Sequence, residues 1–152
     1  YRFVVLESPV RPALEQGLCG WVFRPLDAGA MRRAAAHLIG EHDFTSFRAS
    51  GCQSRSPVKT LRRIDIDRRG AYWRFDVDGS AFLHHMVRNI LGCLVAVGSG
   101  RRAPDWMAAV LAARSRDAAA PTFPPDGLYF LGPYYDAGHA IPEHPPALDW
   151  LP

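Results

Sequence analysis

Residues 60–78 constrain this chain most. Over 60–67, Ile64 and Ile66 alternate with Arg63, Asp65 and Asp67; over 71–78, Trp73, Phe75 and Val77 alternate with Arg74, Asp76 and Asp78. A period of two places each set on one face of a strand. Arg68-Arg69-Gly70 links the two runs, so an antiparallel hairpin is expected, apolar on one face and charged on the other. A two-stranded hairpin is not stable alone, and its apolar face has to be covered.

The rest of the chain supplies the cover. Residues 1–7 read as a strand of aromatic and β-branched residues that ends at Ser8-Pro9, and a loop rich in Pro and Gly follows to Pro25. Asp27 suits the N-cap of a helix reaching about Leu38 and stopped by Gly40. Residues 43–53 read as a mixed loop or short strand. Ser80 is expected to cap a long apolar helix that runs toward Gly100, and Pro104 to open a shorter one through Ala113. Residues 127–135 read as a closing strand. This order predicts an α+β domain over 1–136, an antiparallel sheet with helices on one face. The tail 137–152, with Pro142, Pro145, Pro146 and Pro152, is expected to be irregular.

Composition narrows the class. With 152 residues, 48% hydrophobic and 22% charged, the chain can bury a core of its own. No apolar run reaches membrane-spanning length, so no membrane partner is expected. Cys19, Cys52 and Cys93 are odd in number and far apart, which points to free thiols in a reducing, cytoplasmic compartment. A chain that opens on "YRFVVLE", in mid-strand, is expected to be a piece of something longer. The formal charge is +3, but it is uneven. Arg48, Arg55, Lys59, Arg62, Arg63, Arg68, Arg69 and Arg74 crowd residues 44–74 against two acids, Asp65 and Asp67. From Asp117 onward there are five acids and no Arg or Lys. A basic middle suits an anionic partner such as nucleic acid, and a solvated arginine-rich surface as well.

The long helix carries an unusual polar stripe. His85, Arg88, Asn89 and Gly92 fall at i, i+3, i+4 and i+7, hence on one face, and His84 lies one turn before Arg88. No acid occurs between Ser80 and Gly100. A buried arginine is costly unless a carboxylate or phosphate meets it. Its partner is expected from elsewhere in the fold, Asp76 or Asp43 for example, or from a ligand, or from a part of the protein outside this chain. The stripe ends in a glycine, where another backbone can approach closely. Adjacent histidines on a helix diverge by about 100°, which disfavours a metal site on His84 and His85.

The segments "EHDFTSFRASGCQSRSPVKTLRRIDI" and "FLHHMVRNILGCLVAVGSG", with "PTFPPDGLYF" further on, resemble the C-terminal half of the tRNA pseudouridine synthase A (TruA) family. The resemblance runs from Tyr1 to about Tyr135. It implies an isomerase that converts uridine to pseudouridine in the anticodon stem-loop of tRNA, around positions 38 to 40. It implies a homodimer that uses no cofactor and no metal. The family nucleophile is an aspartate of a Gly-Arg-Thr-Asp-Ala-Gly-Val-His motif in the other half, which the resemblance places before Tyr1. On that reading this chain alone is inactive.

By the same resemblance, Arg88 matches the arginine that pairs with the catalytic aspartate. Tyr1 matches the tyrosine that stacks on the target uracil, and Leu128 an apolar residue of the active-site floor. Arg48, Arg55 and Lys59 are candidates for phosphate contacts, and His84 and His85 for RNA contact or for orienting neighbours. Asp27-Ala28-Gly29 and Asp136-Ala137-Gly138-His139 mimic the catalytic motif, but Asp27 has a capping role and Asp136 falls in the tail. Two other readings stand beside this one: a free-standing RNA-binding module, and a metal enzyme built on His84 or His85.

Overall fold

A computed structural model describes residues 1–135. Its centre is a six-stranded sheet. The strands are β1 (Arg2–Glu7), β2 (Gly20–Val22), β3 (Gly40–Asp43), β4 (Val58–Arg69), β5 (Tyr72–Gly79) and β6 (Leu128–Tyr129). Their order is β2-β1-β5-β4-β3, with β6 also on β1. The helices are α1 (Ala28–Ala36), α2 (Met86–Gly98) and α3 (Trp106–Ala113), and 3₁₀ turns cover Thr45–Phe47 and Arg116–Ala118.

The hairpin forms as its alternation dictates. Ile64 faces Val77, Ile66 faces Phe75, and a register shift lies between Leu61 and Arg63. Trp73, Phe75, Val77 and Ile66 are buried in one cluster with Phe3 and Val5 of β1 and the buried faces of the helices. Side chains one residue out of step point the other way. There Val4, Leu6 and Cys19 form a second, small cluster under Tyr72 and Tyr129. The fold is therefore α+β, with the helical layer against one sheet face.

Four expectations change. The sheet is mixed, because β2 lies parallel to β1 in what reads as loop; a three-residue strand is too short to show a period. The closing strand shrinks to Leu128–Tyr129, which pair with Phe3 and Arg2. From Val5 on, β2 occupies the same edge of β1. Gly127, at φ +88°, fits where the two strands abut, because a Cβ there would collide with Val4 O, Gly20 N and Cys19 Cα.

The third change is at the start of α2. Ser80 does not cap it. The Ser80 side chain accepts the Thr60 N–H at 3.1 Å, and its own N–H donates to Thr60 O at 2.8 Å. The chain then turns, His85 takes a left-handed conformation at φ 59°, and the helix begins at Met86. Fourth, β3 covers Gly40–Asp43 and a 3₁₀ turn follows, where residues 43–53 read as loop or short strand. The Asp27 cap holds, its carboxylate accepting the Ala30 N–H at 2.9 Å. Asp136 and the tail 137–152 lie outside the described residues.

Candidate active site

Every residue of α2 is buried except Arg88, which is half-buried. Apolar residues surround the helix, and the polar stripe of Arg88, Asn89 and Gly92 receives a second segment of chain, residues 120–123. Its four attachments run down the helix in register. Ala120 N donates to Cys93 Sγ at 3.3 Å. The Pro121 carbonyl oxygen lies so close to Gly92 that a Cβ there would overlap it. Thr122 Oγ1 donates to Asn89 Oδ1 at 2.7 Å. Phe123 and Arg88 pair twice: Arg88 Nε donates to Phe123 O at 2.8 Å, and Phe123 N to Arg88 O at 3.3 Å. The stripe that ends in glycine is thus the seat of a strap.

Asn89 joins the strap to the body of the domain. It is fully buried, and its Nδ2 donates to Phe47 O at 2.7 Å. Phe47 belongs to the run Asp43 to Arg48, whose residues each have a structural task. Asp43 accepts the N–H and hydroxyl of Thr45 at 2.9 and 2.6 Å. That hydroxyl is the main reason its pKa lies below the ordinary value. Phe44 and Phe47 enter the core, and Ser46 Oγ donates to Val110 O at 2.6 Å.

Arg88 meets no carboxylate of this chain among the described residues. Asp76 is held by Arg2 at 2.7 Å, and Asp43 lies 3.5 Å from Arg114. Both acids considered as structural partners for Arg88 are thus engaged elsewhere. An arginine has five N–H donors; with Nε on Phe123, the outer edge of the guanidinium remains for an acceptor.

Tyr1 and Leu128 belong to the same block. Tyr1 pairs with Val77 through backbone bonds, Tyr1 N to Val77 O at 3.0 Å and Val77 N to Tyr1 O at 2.8 Å. Its ring lies 5.0 Å edge-on from Phe82 and 5.1 Å from Phe130. Leu128 stands opposite Phe3. The Phe3 ring meets the Phe123 ring at 5.6 Å, and Phe123 holds Arg88. These contacts tie Tyr1, Leu128 and Arg88 to one core.

The other sequence candidates divide. Arg48 gives its Nη2 to Cys52 O and Ser54 O at 2.6 and 3.0 Å and so braces its own loop, with Nε and Nη1 outside these bonds. Lys59 Nζ donates to Ser56 O and Val58 O. Arg55 is exposed. His84 and His85 precede α2 instead of lying on it, and their rings sit 3.8 Å apart. The helical-divergence argument against a shared metal therefore does not apply to them, and among the described residues no group of three His, Cys, Asp or Glu is placed to hold an ion. His84 is pinned by its backbone, N–H to Cys52 Sγ at 3.3 Å and O from Ala49 N at 3.1 Å. Burial, then the Arg88 charge and His84, lower the pKa of His85. The His84 and Ser54 N–H groups lower that of Cys52.

Sequence reasoning passed over Thr122 and Arg116. Arg116 donates to Thr122 Oγ1 at 3.0 Å, and Thr122 lies 33 residues from Asn89; no local pattern marks such a pair. The basic count over 44–74 also shrinks once the sheet is assembled. Arg62, Arg68 and Arg74 meet Asp78, Glu7 and Asp76, acids that lie outside that window.

The sequence profile of one family, described as tRNA pseudouridine synthase, matches residues 34–136. The tRNA pseudouridine synthase A of Methylibium petroleiphilum is 69% identical over 152 residues, all of this chain and 58% of the relative. That of Paracidovorax citrulli is 62% identical over 170 residues, with 61% of it covered. That of Polaromonas naphthalenivorans is 62% identical over 156, with 59% covered. The chain thus spans 58 to 61% of the length of these curated relatives.

Proposed function

The chain belongs to the tRNA pseudouridine synthase family, and from that premise we propose that it is the C-terminal part of an enzyme that isomerises uridine in the anticodon stem-loop of tRNA, around positions 38 to 40. The observation that carries this reading is Arg88, oriented by Phe123 and without a carboxylate of its own chain among the described residues. Its acceptor is the catalytic aspartate, contributed by the part of the relatives that this chain does not span. Residues 1–136 are one domain of that enzyme.

The reaction sets the requirements. The bond from C1′ to N1 of the uracil breaks, the ring turns, C1′ bonds to C5, the C5 proton leaves and N1 gains one. Nothing is oxidised or added, so no redox group is called for. The target nucleotide first leaves its stack, as for other base-modifying enzymes. The aspartate has to stay ionised beside an apolar pocket, and a guanidinium next to it favours the charged form and fixes its direction. Tyr1, steadied by Phe82 and Phe130, stacks on the detached uracil, and Leu128 lines the floor beneath it. Arg48, Arg55 and Lys59 meet RNA phosphates, with His84 and His85 at the edge of the same surface. The enzyme is a cytoplasmic homodimer. No helix among the described residues is long and apolar enough to cross a membrane.

Tritium release from tRNA carrying 5-tritiated uridine tests the reading, with this chain and the full-length protein assayed side by side. Release by the full-length protein only is the expected result. Release by this chain alone would make one of its own aspartates the nucleophile, with Asp27 and Asp136 the first to replace. No release by either would favour an RNA-binding module and end the proposal.

A further inference from the structure

The reading above leaves open what aims Arg88. An arginine side chain has several rotatable bonds, and α2 fixes only its root. We infer that residues 120–123 are the positioning device for Arg88, with the Thr122 hydroxyl as its pivot. This rests on the proposal that Arg88 pairs with a catalytic carboxylate.

Three observations carry it. First, Arg88 donates its Nε–H to Phe123 O, and Phe123 N returns a bond to the Arg88 backbone. The direction of the guanidinium therefore follows the position of one carbonyl. Second, the residue before that carbonyl is fixed by a directional relay. Arg116 donates to Thr122 Oγ1, Thr122 Oγ1 donates to Asn89 Oδ1, and Asn89 Nδ2 donates to Phe47 O. The hydroxyl is both donor and acceptor, so its proton is directed to Asn89 Oδ1, and Asn89 itself is fully buried. Third, Thr122 lines a cavity on each side of the strap. One is a groove of about 330 Å³ shared with Trp21, Phe23 and Gly92; the other is an open cavity of about 750 Å³ shared with Arg48, Cys52 and His85. With space on both flanks, polar contacts place this residue more than packing does.

Thr122 is thus a positioning residue that acts through Arg88 and touches no reacting atom. A strap that only closed the core would change stability and leave the chemistry of the folded enzyme alone. The test uses the full-length protein and the tritium-release assay. Thr122→Val keeps the shape and removes the hydroxyl; kcat is expected to fall on the order of ten- to a hundredfold, the scale of a displaced catalytic group, with KM held within about threefold. Thr122→Ser restores the hydroxyl and is expected to restore kcat. In an Arg88→Lys background, followed in single turnovers, Thr122→Val is expected to add little, because no guanidinium is left to aim. Should Thr122→Val fail to fold, Arg116→Met loosens the same hydroxyl from the surface side and carries the same expectation at smaller amplitude. Unchanged kcat in Thr122→Val, an equal loss in Thr122→Ser, or an undiminished further loss in the Arg88→Lys background would each overturn the inference. A wild-type protein that releases no tritium would instead overturn the functional reading, and the inference with it.

Discussion

The charged sheet face and helix α2 hold their arginines differently. On the charged face of the sheet, Arg2 grips Asp76 through two bonds of 2.7 and 2.9 Å, and Arg74 reaches Asp67 at 2.8 Å and Asp76 at 3.4 Å. Arg63 meets Asp65 at 3.1 Å and Arg62 meets Asp78 at 2.9 Å. On α2, Arg88 meets a backbone carbonyl and no acid of the described residues. The first group is compensated inside the domain and serves the fold. Arg88 is held by a carbonyl instead, and the proposed reading gives its charge to the catalytic aspartate. Lack of an acid alone does not assign a role, since Arg32 donates to Ile66 O and Arg48 to Cys52 O and Ser54 O; Arg88 differs in standing on the buried helix α2 beside the strap.

Arg88 itself is the most telling residue to replace. In the full-length protein, Arg88→Ala is expected to lower turnover by about 10² to 10³, the loss seen when one preorganised electrostatic partner is removed, while tRNA binding by filter retention stays within a few-fold. Near-normal turnover would place Arg88 with the structural group. Next comes Asp76→Ala, which removes the carboxylate that Arg2 and Arg74 share; the Arg2 side chain is 10% exposed. Losing charge-assisted bonds of this kind costs about 1.5–3 kcal/mol, to be read from denaturant midpoints, with turnover of the folded fraction unchanged. A loss of turnover without a loss of stability would mean that the sheet face also does chemistry.

Gly92→Ala acts on Arg88 through the strap. The added Cβ meets the Pro121 carbonyl oxygen, and overpacking of this kind costs about 1–3 kcal/mol. Turnover is expected to fall beyond what stability explains, because the backbone that moves is the one that holds Arg88; thermal melts and tritium release on the same sample separate the two. The smallest effect belongs to Arg62→Ala. That pair is exposed, 55% and 28% for its two side chains, and its loss is expected to cost under about 1 kcal/mol, less still at high salt.

The hairpin was legible because its period is long and clean: Trp73, Phe75 and Val77 face the core as their spacing requires. Asp27 was legible because capping is local. Arg88 stood out because α2 contains no acid, an absence visible in sequence alone. What sequence missed depends on distant partners. Ser80 looks like a helix cap, but β4 claims its side chain through Thr60, and a bond made twenty residues away outweighs a local preference. The parallel β2 is three residues long and shows no pattern. The basic window 44–74 overstated the free positive charge because Glu7, Asp76 and Asp78 lie outside it. Thr122 carries no signal until the strap is laid on the helix.

The strap also fixes an order of events during synthesis. Its bonds to α2 span 27 residues at Cys93, 33 at Asn89 and 35 at Arg88. A ribosome therefore makes Arg88 well before it makes the carbonyl that aims it. A chain terminated in that interval contains Arg88 but lacks the carbonyl that receives its Nε–H. The finished domain and the aimed arginine arrive together.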